Sequence, residues 1–263
     1  MDAMVGVPGA EPFSARGQGE RGSVGVVVVH GFTANPTGTR PLGLRLAAAG
    51  YSVEVPRLPG HGTSPRDLSR TRYSDWRMTV SSAVRSLARG CDAVVVVGHS
   101  MGGSIALDLA GSGEFDLAGI VTINSLVLDR KELLARVAPV LQHVVPFVPR
   151  DAAGMPTDDL AKPGVDEKAY AWVSARAAQS YIAELPRIRD GLGQVRCPAL
   201  IVTSPEDHTV DPANGDAVAD GLTGSPRVER LATRRSFHVP LMDYDAELLE
   251  DRILAFVADV TGR

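Results

Sequence analysis

The sequence has few cysteines and no long hydrophobic run. Its 263 residues contain two cysteines, Cys91 and Cys197, each just before a predicted core strand, so we expect packed thiols rather than a disulfide. No metal-ligand spacing is present, no stretch of about 18 uncharged apolar residues predicts a membrane span, and residues 1–21 lack the apolar core of a secretory signal. We therefore expect a cytoplasmic protein with no metal and no cofactor.

The charge balance argues against a further class of partner. Lys and Arg total 27 against 31 Asp and Glu, which gives a net charge of −4 at pH 7 and a pI near 5.9. We expect no nucleic acid partner, because such binding uses a basic surface. A chain of this length can bury a large core in one domain. The sequence leaves open a monomer or a homodimer, and a transient contact with a membrane surface.

The most informative segment is VVVVGHSMGG at residues 94–103. Four consecutive valines predict a strand buried on both faces, and a helical pattern follows the G-x-S-x-G motif at 98–102. A tight strand-to-helix turn needs both glycines, because side chains there would collide. This context predicts that Ser100 is a nucleophile and that the Met101 amide is one oxyanion donor. The alternative interpretation, an ordinary glycine-rich turn between a strand and a helix, does not explain why a serine occupies position 100.

A serine nucleophile needs a base and an orienting acid, which follow it in the order acid, then histidine, in this kind of fold. Three histidines come after Ser100. His143 lies in an apolar stretch typical of a packed or surface residue, and His208 directly follows an aspartate, too early in the order. His238 lies in a loop between the last predicted strand, 228–231, and the final helix. We therefore predict that His238 is the base.

The acid is expected after the next-to-last strand, predicted at residues 199–203. Asp207 in the following loop is the main candidate, with Asp211 and Glu206 as alternatives. Asp211 better suits the cap of the next helix. Asp207 would hold the Nδ1 proton of His238, and the imidazole would take the proton of the nucleophile and return it to the leaving alcohol.

The second oxyanion donor is expected in the loop after an earlier all-valine strand, residues 26–29. Gly31 permits a tight bend there, and the main-chain N–H of Phe32 is the candidate donor. His30 precedes the nucleophile in the chain, so we expect it to brace this loop rather than act as a base. His61, in a Gly-His-Gly turn, is expected to be structural.

These motifs together resemble the α/β-hydrolase superfamily, and longer strings resemble its bacterial monoacylglycerol lipases and related small thermostable carboxylesterases. The strings are GAEPF (9–13), HGFTANPTGTRPL (30–42), PRLPGHGTSPRDL (56–68), YSDW (73–76), CPALIVTSPEDHTVDP (197–212) and SFHVPLMDYD (236–245). The resemblance implies a triad of Ser100, Asp207 and His238, with the Phe32 and Met101 amides as the oxyanion hole.

The alternation of predicted strands and helices indicates an α/β-hydrolase fold, with a mostly parallel sheet and helices on both faces. Further strands are predicted at 51–55 and 120–124, and helices at 42–48, 71–88 and 245–260. We assign 1–128 and 186–263 to the core.

Residues 129–185 replace a short crossover and are predicted to form a cap over the site. The apolar residues Leu133, Val137, Val140, Leu141 and Val144 follow helical spacing there. They would pack the cap onto the core or line an acyl pocket, and the pattern does not separate these two roles.

We therefore predict a serine hydrolase of lipophilic carboxylic esters, with monoacylglycerols as the first substrate and a general carboxylesterase of short or medium chains as the alternative. Ala171 favours the alternative, because related monoglyceride lipases carry at this aligned position a glutamate implicated in glycerol recognition. A third reading, a ligand-binding protein without turnover, would be supported by loss of a triad residue, and none is lost.

Overall fold

The computed structural model describes residues 6–128, 145–156 and 158–263. Nine strands occur in these ranges: β1 Phe13–Ala15, β2 Val24–Val29, β3 Ser52–Val55, β4 Ala93–His99, β5 Gly119–Ile123, β6 Phe147–Pro149, β7 Trp172–Ser174, β8 Ala199–Thr203 and β9 Val228–Ala232. Seven form one sheet in the order β1-β3-β2-β4-β5-β8-β9. All neighbours are parallel except β1, which runs antiparallel to β3 at the edge. This confirms the mostly parallel sheet.

Helices cover both faces of the sheet. They are α1 Arg40–Ala48, α2 Pro65–Leu68, α3 Tyr73–Ala88, α4 Met101–Gly111, α5 Ala175–Ile182, α6 Leu185–Gly191, α7 Ala213–Gly221 and α8 Ala246–Thr261. Leucine and aromatic side chains of α1 and α8 pack on one face, whereas α3, α4, α6 and α7 pack on the other. The predicted helices at 42–48, 71–88 and 245–260 are confirmed to within about two residues at each end.

The central strands β2, β4 and β5 are almost completely buried, as their valine-rich sequences predict. In register, Val26 faces Val95 and Val95 faces Gly119 across the sheet. Burial on both sides favours β-branched residues without polar side chains. Both cysteines are free thiols, with Cys197 buried and Cys91 half-buried.

The connection between β5 and α6 carries an antiparallel hairpin, β6–β7, and then α5. We call its described residues, 145–156 and 158–182, the insertion. The apolar positions from Leu133 to Val144, and His143, lie outside the described residues. The strands β1, β6 and β7 were not predicted, because three residues are too few to show an alternating pattern. No helix in the described ranges has the length and apolar character needed to cross a bilayer.

Candidate active site

Ser100 lies at the apex of the turn between β4 and α4, with φ 53° and ψ −119°. Positive φ is uncommon for a residue with a side chain and concentrates at functional sites. A Cβ on Gly98 would overlap the main chain of Gly102, and a Cβ on Gly102 would overlap the carbonyl of Val29. The two glycines are therefore required by close backbone approach, and the turn presents the serine at the carboxyl end of the sheet.

Asp207 and His238 are brought together by the loops after β8 and β9. His238 Nδ1 lies 2.8 Å from Asp207 Oδ2, and the two side chains are 4% and 1% exposed. The other carboxylate oxygen, Oδ1, accepts the N–H groups of Thr209 at 2.8 Å and Val210 at 2.7 Å. These donors orient the carboxylate, which in turn fixes the imidazole as the Nδ1–H tautomer.

The alternative acids and the neighbouring histidine lie elsewhere. Asp211 precedes the N-cap residue Pro212 of α7, and its Oδ1 accepts the N–H of Ala213, the first residue of this helix, at 2.9 Å. Glu206 is exposed to solvent. His208 is oriented toward the insertion, where its Nδ1 lies 2.8 Å from Asp159. Asp207 is the candidate whose carboxylate forms the 2.8 Å contact with the imidazole of His238.

The electrostatics of the pair favour a histidine that can accept a proton. Burial disfavours the charged imidazole, but the charge of Asp207 and its hydrogen bond outweigh burial and raise the pKa of His238 above 6.5. The carboxylate of Glu167, from the insertion, raises this pKa further. The imidazolium that forms when the ring takes a proton is therefore stabilised.

Two side chains that the sequence analysis did not identify hold the main chain of His238. His99 Nε2 donates to the His238 carbonyl at 2.8 Å, and burial lowers the pKa of His99 to about 3, so it stays neutral. Asn124 Nδ2 donates to the same carbonyl at 2.9 Å, while its Oδ1 accepts the N–H of Ser204 at 2.8 Å. Asn124 has φ 48° directly after β5. The position of this polar residue at the end of a buried strand was the sequence feature that could have identified Asn124.

The loop of His238 lies next to the turn of Ser100, because the His238 carbonyl accepts a hydrogen bond from His99, the residue before Ser100. The rings of His99 and His238 lie 5.0 Å apart. Within the described residues, the hydrogen bonds of His238 are formed with Asp207, His99 and Asn124, and none joins it to Ser100 Oγ. Such bonds are often long until substrate is bound.

The loop after β2 lies against the nucleophile. A Cβ placed on Gly31 would come 3.2 Å from Ser100 Cβ, so the main chain of this loop runs directly beside the serine. Within the described residues, neither the N–H of Phe32 nor that of Met101 donates a hydrogen bond. Two unused N–H groups beside a serine, one of them at a helix N-terminus, can bind a developing oxyanion.

The two remaining histidines near this loop have structural surroundings. His30 accepts the N–H of Leu58 on Nε2 at 3.2 Å and donates from Nδ1 to the Gly31 carbonyl at 2.9 Å. Burial lowers the pKa of His30 to about 4, so it remains a neutral brace, as expected. His61 is buried against the rings of Phe32 and Trp76, and burial lowers its pKa well below 6.5.

Taken together, a serine on a strained turn, a buried imidazole–carboxylate pair and two available N–H groups are the parts needed for acyl transfer. In the described part of the chain, no group of three or more His, Cys, Asp or Glu side chains is arranged to hold a metal ion. The serine, the imidazole–carboxylate pair and the two N–H groups can together support covalent catalysis by an activated serine.

The chain is similar to known proteins over most of its length. The sequence profile of the Alpha/beta hydrolase family matches residues 26–251. The thermostable monoacylglycerol lipase of Bacillus sp. (strain H-257) is 38% identical over 256 residues, 97% of this chain and 96% of the relative.

Two solved structures extend the comparison. One, described with the metagenome-derived lipolytic enzymes LipS and LipT, is 35% identical with a TM-score of 0.88 and covers 96% of this chain and 99% of its own. The monoacylglycerol lipase of Paleococcus ferrophilus, 19% identical, shares the fold with a TM-score of 0.80 over 95% and 98% of the two chains. With the profile match covering most of its length, this chain belongs to the alpha/beta hydrolase family.

Proposed function

We propose that this protein hydrolyses carboxylic esters of lipophilic acyl chains, monoacylglycerols foremost, through an acyl-enzyme on Ser100. His238 takes the proton of Ser100 as Oγ attacks the ester carbonyl, and the N–H groups of Phe32 and Met101 stabilise the oxyanion. The tetrahedral intermediate then collapses, and the imidazolium gives its proton to the leaving alcohol. A water molecule, deprotonated by the same imidazole, releases the acid. Asp207 orients the ring and stabilises its charged form.

The observation that carries this proposal is that Ser100, on a strained turn, directly follows His99, which holds the loop of an imidazole already paired with a buried carboxylate. The positive φ of Ser100 has a steric cost that a structural turn could avoid with glycine. The loop of His238, meanwhile, is bonded to the residue before the serine, and its ring is oriented by a buried carboxylate. Strain and burial of a charged pair at one place are typical of a catalytic site.

The proposed substrate class rests on the relatives and on residues 129–185, which we propose form a cap. The described insertion contacts both the Phe32 loop and the Asp207 loop, since Arg150 bonds Thr33 and Asp159 bonds His208. A segment joined to the loops on both sides of the serine is well placed to cover an acyl chain. The 38% identity to a monoacylglycerol lipase supports a glycerol monoester as the substrate.

A second candidate, a carboxylesterase of short or medium acyl chains, is favoured by Ala171. This residue is exposed, and its carbonyl accepts the N–H of Arg150 at 2.9 Å. An alanine offers no carboxylate to the hydroxyl groups of glycerol. Preference for a monoacylglycerol over a methyl ester of equal chain length should then be modest.

The nucleophile is tested with a fluorophosphonate probe and tandem mass spectrometry. The native protein should be labelled once, at Ser100, and Ser100→Ala should abolish labelling and ester hydrolysis. Ser112→Ala, at the exposed C-terminal end of α4, is the matched control and should be labelled normally. Labelling of another serine in Ser100→Ala, with hydrolysis retained, would overturn the assignment.

The substrate class is tested by kcat/KM for monoacylglycerols, methyl esters and triacylglycerols matched in acyl length. Each buried CH₂ contributes about 0.8 kcal/mol, so kcat/KM should rise through medium chains until the pocket is full. Triacylglycerols should be poor substrates, because a cap leaves little room for further chains. Equal rates on triacylglycerol would refute the capped pocket, and a flat chain-length profile would refute the acyl pocket.

A further inference from the structure

Thr33, directly after the proposed oxyanion donor Phe32, has an unusual backbone. Its φ is 63°, and the residue is completely buried. A β-branched residue in the left-handed region is a conformational outlier. Such a conformation persists only where the surroundings fix it. Relaxation of Thr33 to negative φ would rotate the peptide between Phe32 and Thr33 and shift the main chain of Phe32, whose N–H is the proposed donor, so whatever holds Thr33 also holds the donor.

The insertion holds Thr33 from both sides. Arg150 Nη1 donates to Thr33 Oγ1 at 2.8 Å, and this hydroxyl donates to the carbonyl of Phe32 at 2.6 Å. The N–H of Tyr170 donates to the carbonyl of Thr33 at 3.1 Å. The side chain and the main chain of Thr33 are therefore both attached to residues that follow it by more than a hundred positions.

Arg150 is itself rigidly held. Its Nη2 donates to Glu167 Oε2 at 3.2 Å, its Nε donates to the carbonyl of Pro156 at 3.1 Å, and the two charged side chains are 2% and 4% exposed. A buried arginine needs a paired charge. Three hydrogen bonds in different directions fix the plane of the guanidinium, which lysine could not reproduce. The third of these hydrogen bonds is the one that Arg150 donates to Thr33.

We propose that Arg150, paired with Glu167, is a positioning residue for the oxyanion hole: it keeps Thr33 in the left-handed conformation and thereby directs the N–H of Phe32 toward the ester oxygen. This inference rests on the proposed function. It gives the insertion a second role beyond covering the acyl chain, because the oxyanion hole is complete only while the insertion is docked.

The first test is Arg150→Ala, with kcat and KM measured on a nitrophenyl ester. Removal of one oxyanion donor costs about 100- to 1000-fold in kcat. Displacement of the Phe32 donor should cost less, so we expect a fall in kcat of about 10- to 100-fold with a much smaller change in KM. The control is Arg187→Ala, which breaks a two-bond ion pair with buried Asp108 on α4 and should lower Tm while leaving kcat close to native.

The decisive test is rescue by Thr33→Gly in the Arg150→Ala background. Glycine adopts positive φ without steric cost, so the double variant should regain up to about tenfold in kcat over Arg150→Ala. An arginine that only stabilises the fold predicts the opposite, because removing the buried threonine would add a second loss. A double variant slower than Arg150→Ala would therefore overturn the proposal.

Thr33→Val keeps the test valid where Arg150→Ala fails to fold, since it leaves the Arg150–Glu167 pair intact. Valine removes the hydroxyl but keeps the β-branched strain, so Thr33→Val should have a lower kcat than Thr33→Gly, and the reverse order would contradict the inference.

Probe labelling separates the two proposals. A native protein that neither labels nor hydrolyses esters contradicts the proposed function. A normal native enzyme with an unimpaired Arg150→Ala contradicts only this inference.

Discussion

The two loops that flank Ser100 are held in different ways. In the loop after β8, Asp207 is oriented by main-chain N–H groups two and three residues further along the same turn. In the loop after β2, Thr33 is oriented by the Arg150 side chain, 117 positions away in the sequence. The conformation of the Asp207 loop is fixed by hydrogen bonds within its own turn, whereas the conformation of the Thr33 loop depends on contacts with the insertion.

This difference separates two kinds of failure. A substitution in the Asp207 turn should damage the acid and leave the oxyanion hole intact, because its orienting hydrogen bonds are local. A substitution in the insertion should act on the oxyanion hole through Arg150, although no atom of Arg150 is proposed to touch the substrate. The expected loss of kcat is largest for Asp207→Asn, intermediate for Arg150→Ala and smallest for Asp159→Ala.

The largest effect is expected for Asp207→Asn. The amide presents an N–H or a neutral oxygen to His238 and no longer stabilises the imidazolium, so kcat should fall by about 10⁴, as in a comparable triad whose tautomer is reversed. Steady-state hydrolysis of a nitrophenyl ester measures the loss. KM should change little, because Asp207 orients the base and is not proposed to bind the substrate.

Asp211→Asn is the matched control for Asp207→Asn. It lies in the same loop and carries the same change, but its Oδ1 serves the N–H at the start of α7. Asparagine caps helices about as well as aspartate, so kcat should stay near native. A larger loss for Asp211→Asn than for Asp207→Asn would show that the acid has been assigned to the wrong residue.

The same contrast explains how much of the site could be predicted. Ser100 and Asp207 could be predicted as catalytic residues because a local motif or turn surrounds each, and His238 because chain order restricts where a base is expected. Asn124 and Arg150 were not predicted as site residues, because their partners are distant in sequence. Asn124 contacts His238, 114 positions away, and Arg150 contacts Thr33, 117 positions away. The position of Asn124 after a buried strand could have marked it as a candidate, but the neighbouring residues do not specify its partner or that of Arg150, and the fold brings each pair together.

The fold shows the same division between local and long-range information. The strands β2, β4 and β8 were predicted because buried parallel strands are continuous apolar runs. The hairpin β6–β7 was not predicted, because its three-residue strands pair only with each other and carry no period. Strands with long, uniformly apolar sequences can therefore be predicted from the sequence, whereas short strands that form only by pairing with each other cannot.

A smaller effect is expected in the pH dependence of kcat/KM. His238 must be neutral to accept a proton, and its pKa is raised by Asp207 and, more weakly, by Glu167. The rate should rise with pH through a pKa above the ordinary 6.5. Stability works in the opposite sense: protonated His238 stabilises the fold below pH 6.5, and this contribution is lost as the pH rises through the raised pKa.

Glu167→Gln sharpens this prediction. Removal of its charge should move the acid limb of the profile to lower pH, and Asp207→Asn should move it further in the same direction. Full pH profiles of kcat/KM measure both shifts. A limb that stays fixed in both variants would mean that His238 is not the group that titrates.

The smallest effect on catalysis is expected for Asp159→Ala. Asp159, also from the insertion, accepts the N–H of His208 at 3.0 Å and the hydroxyl of Thr209 at 2.9 Å, so it contacts the Asp207 loop from outside. Loss of this buried acceptor leaves donors unsatisfied and should cost roughly 1–3 kcal/mol of stability. The local bonds to Asp207 persist, so kcat should fall at most a few-fold.

Asp159→Ala measured beside Arg150→Ala tests the comparison itself. Both remove a buried charged side chain that joins the insertion to a loop of the proposed site, and both should lower Tm in denaturation measurements. Only Arg150→Ala should also lower kcat strongly, because Thr33 is held by the insertion through Arg150 and Tyr170, whereas Asp207 is oriented by N–H groups of its own turn. An equal loss of kcat in Asp159→Ala would mean that the insertion controls both loops, and that the turn around Asp207 does not maintain its own geometry.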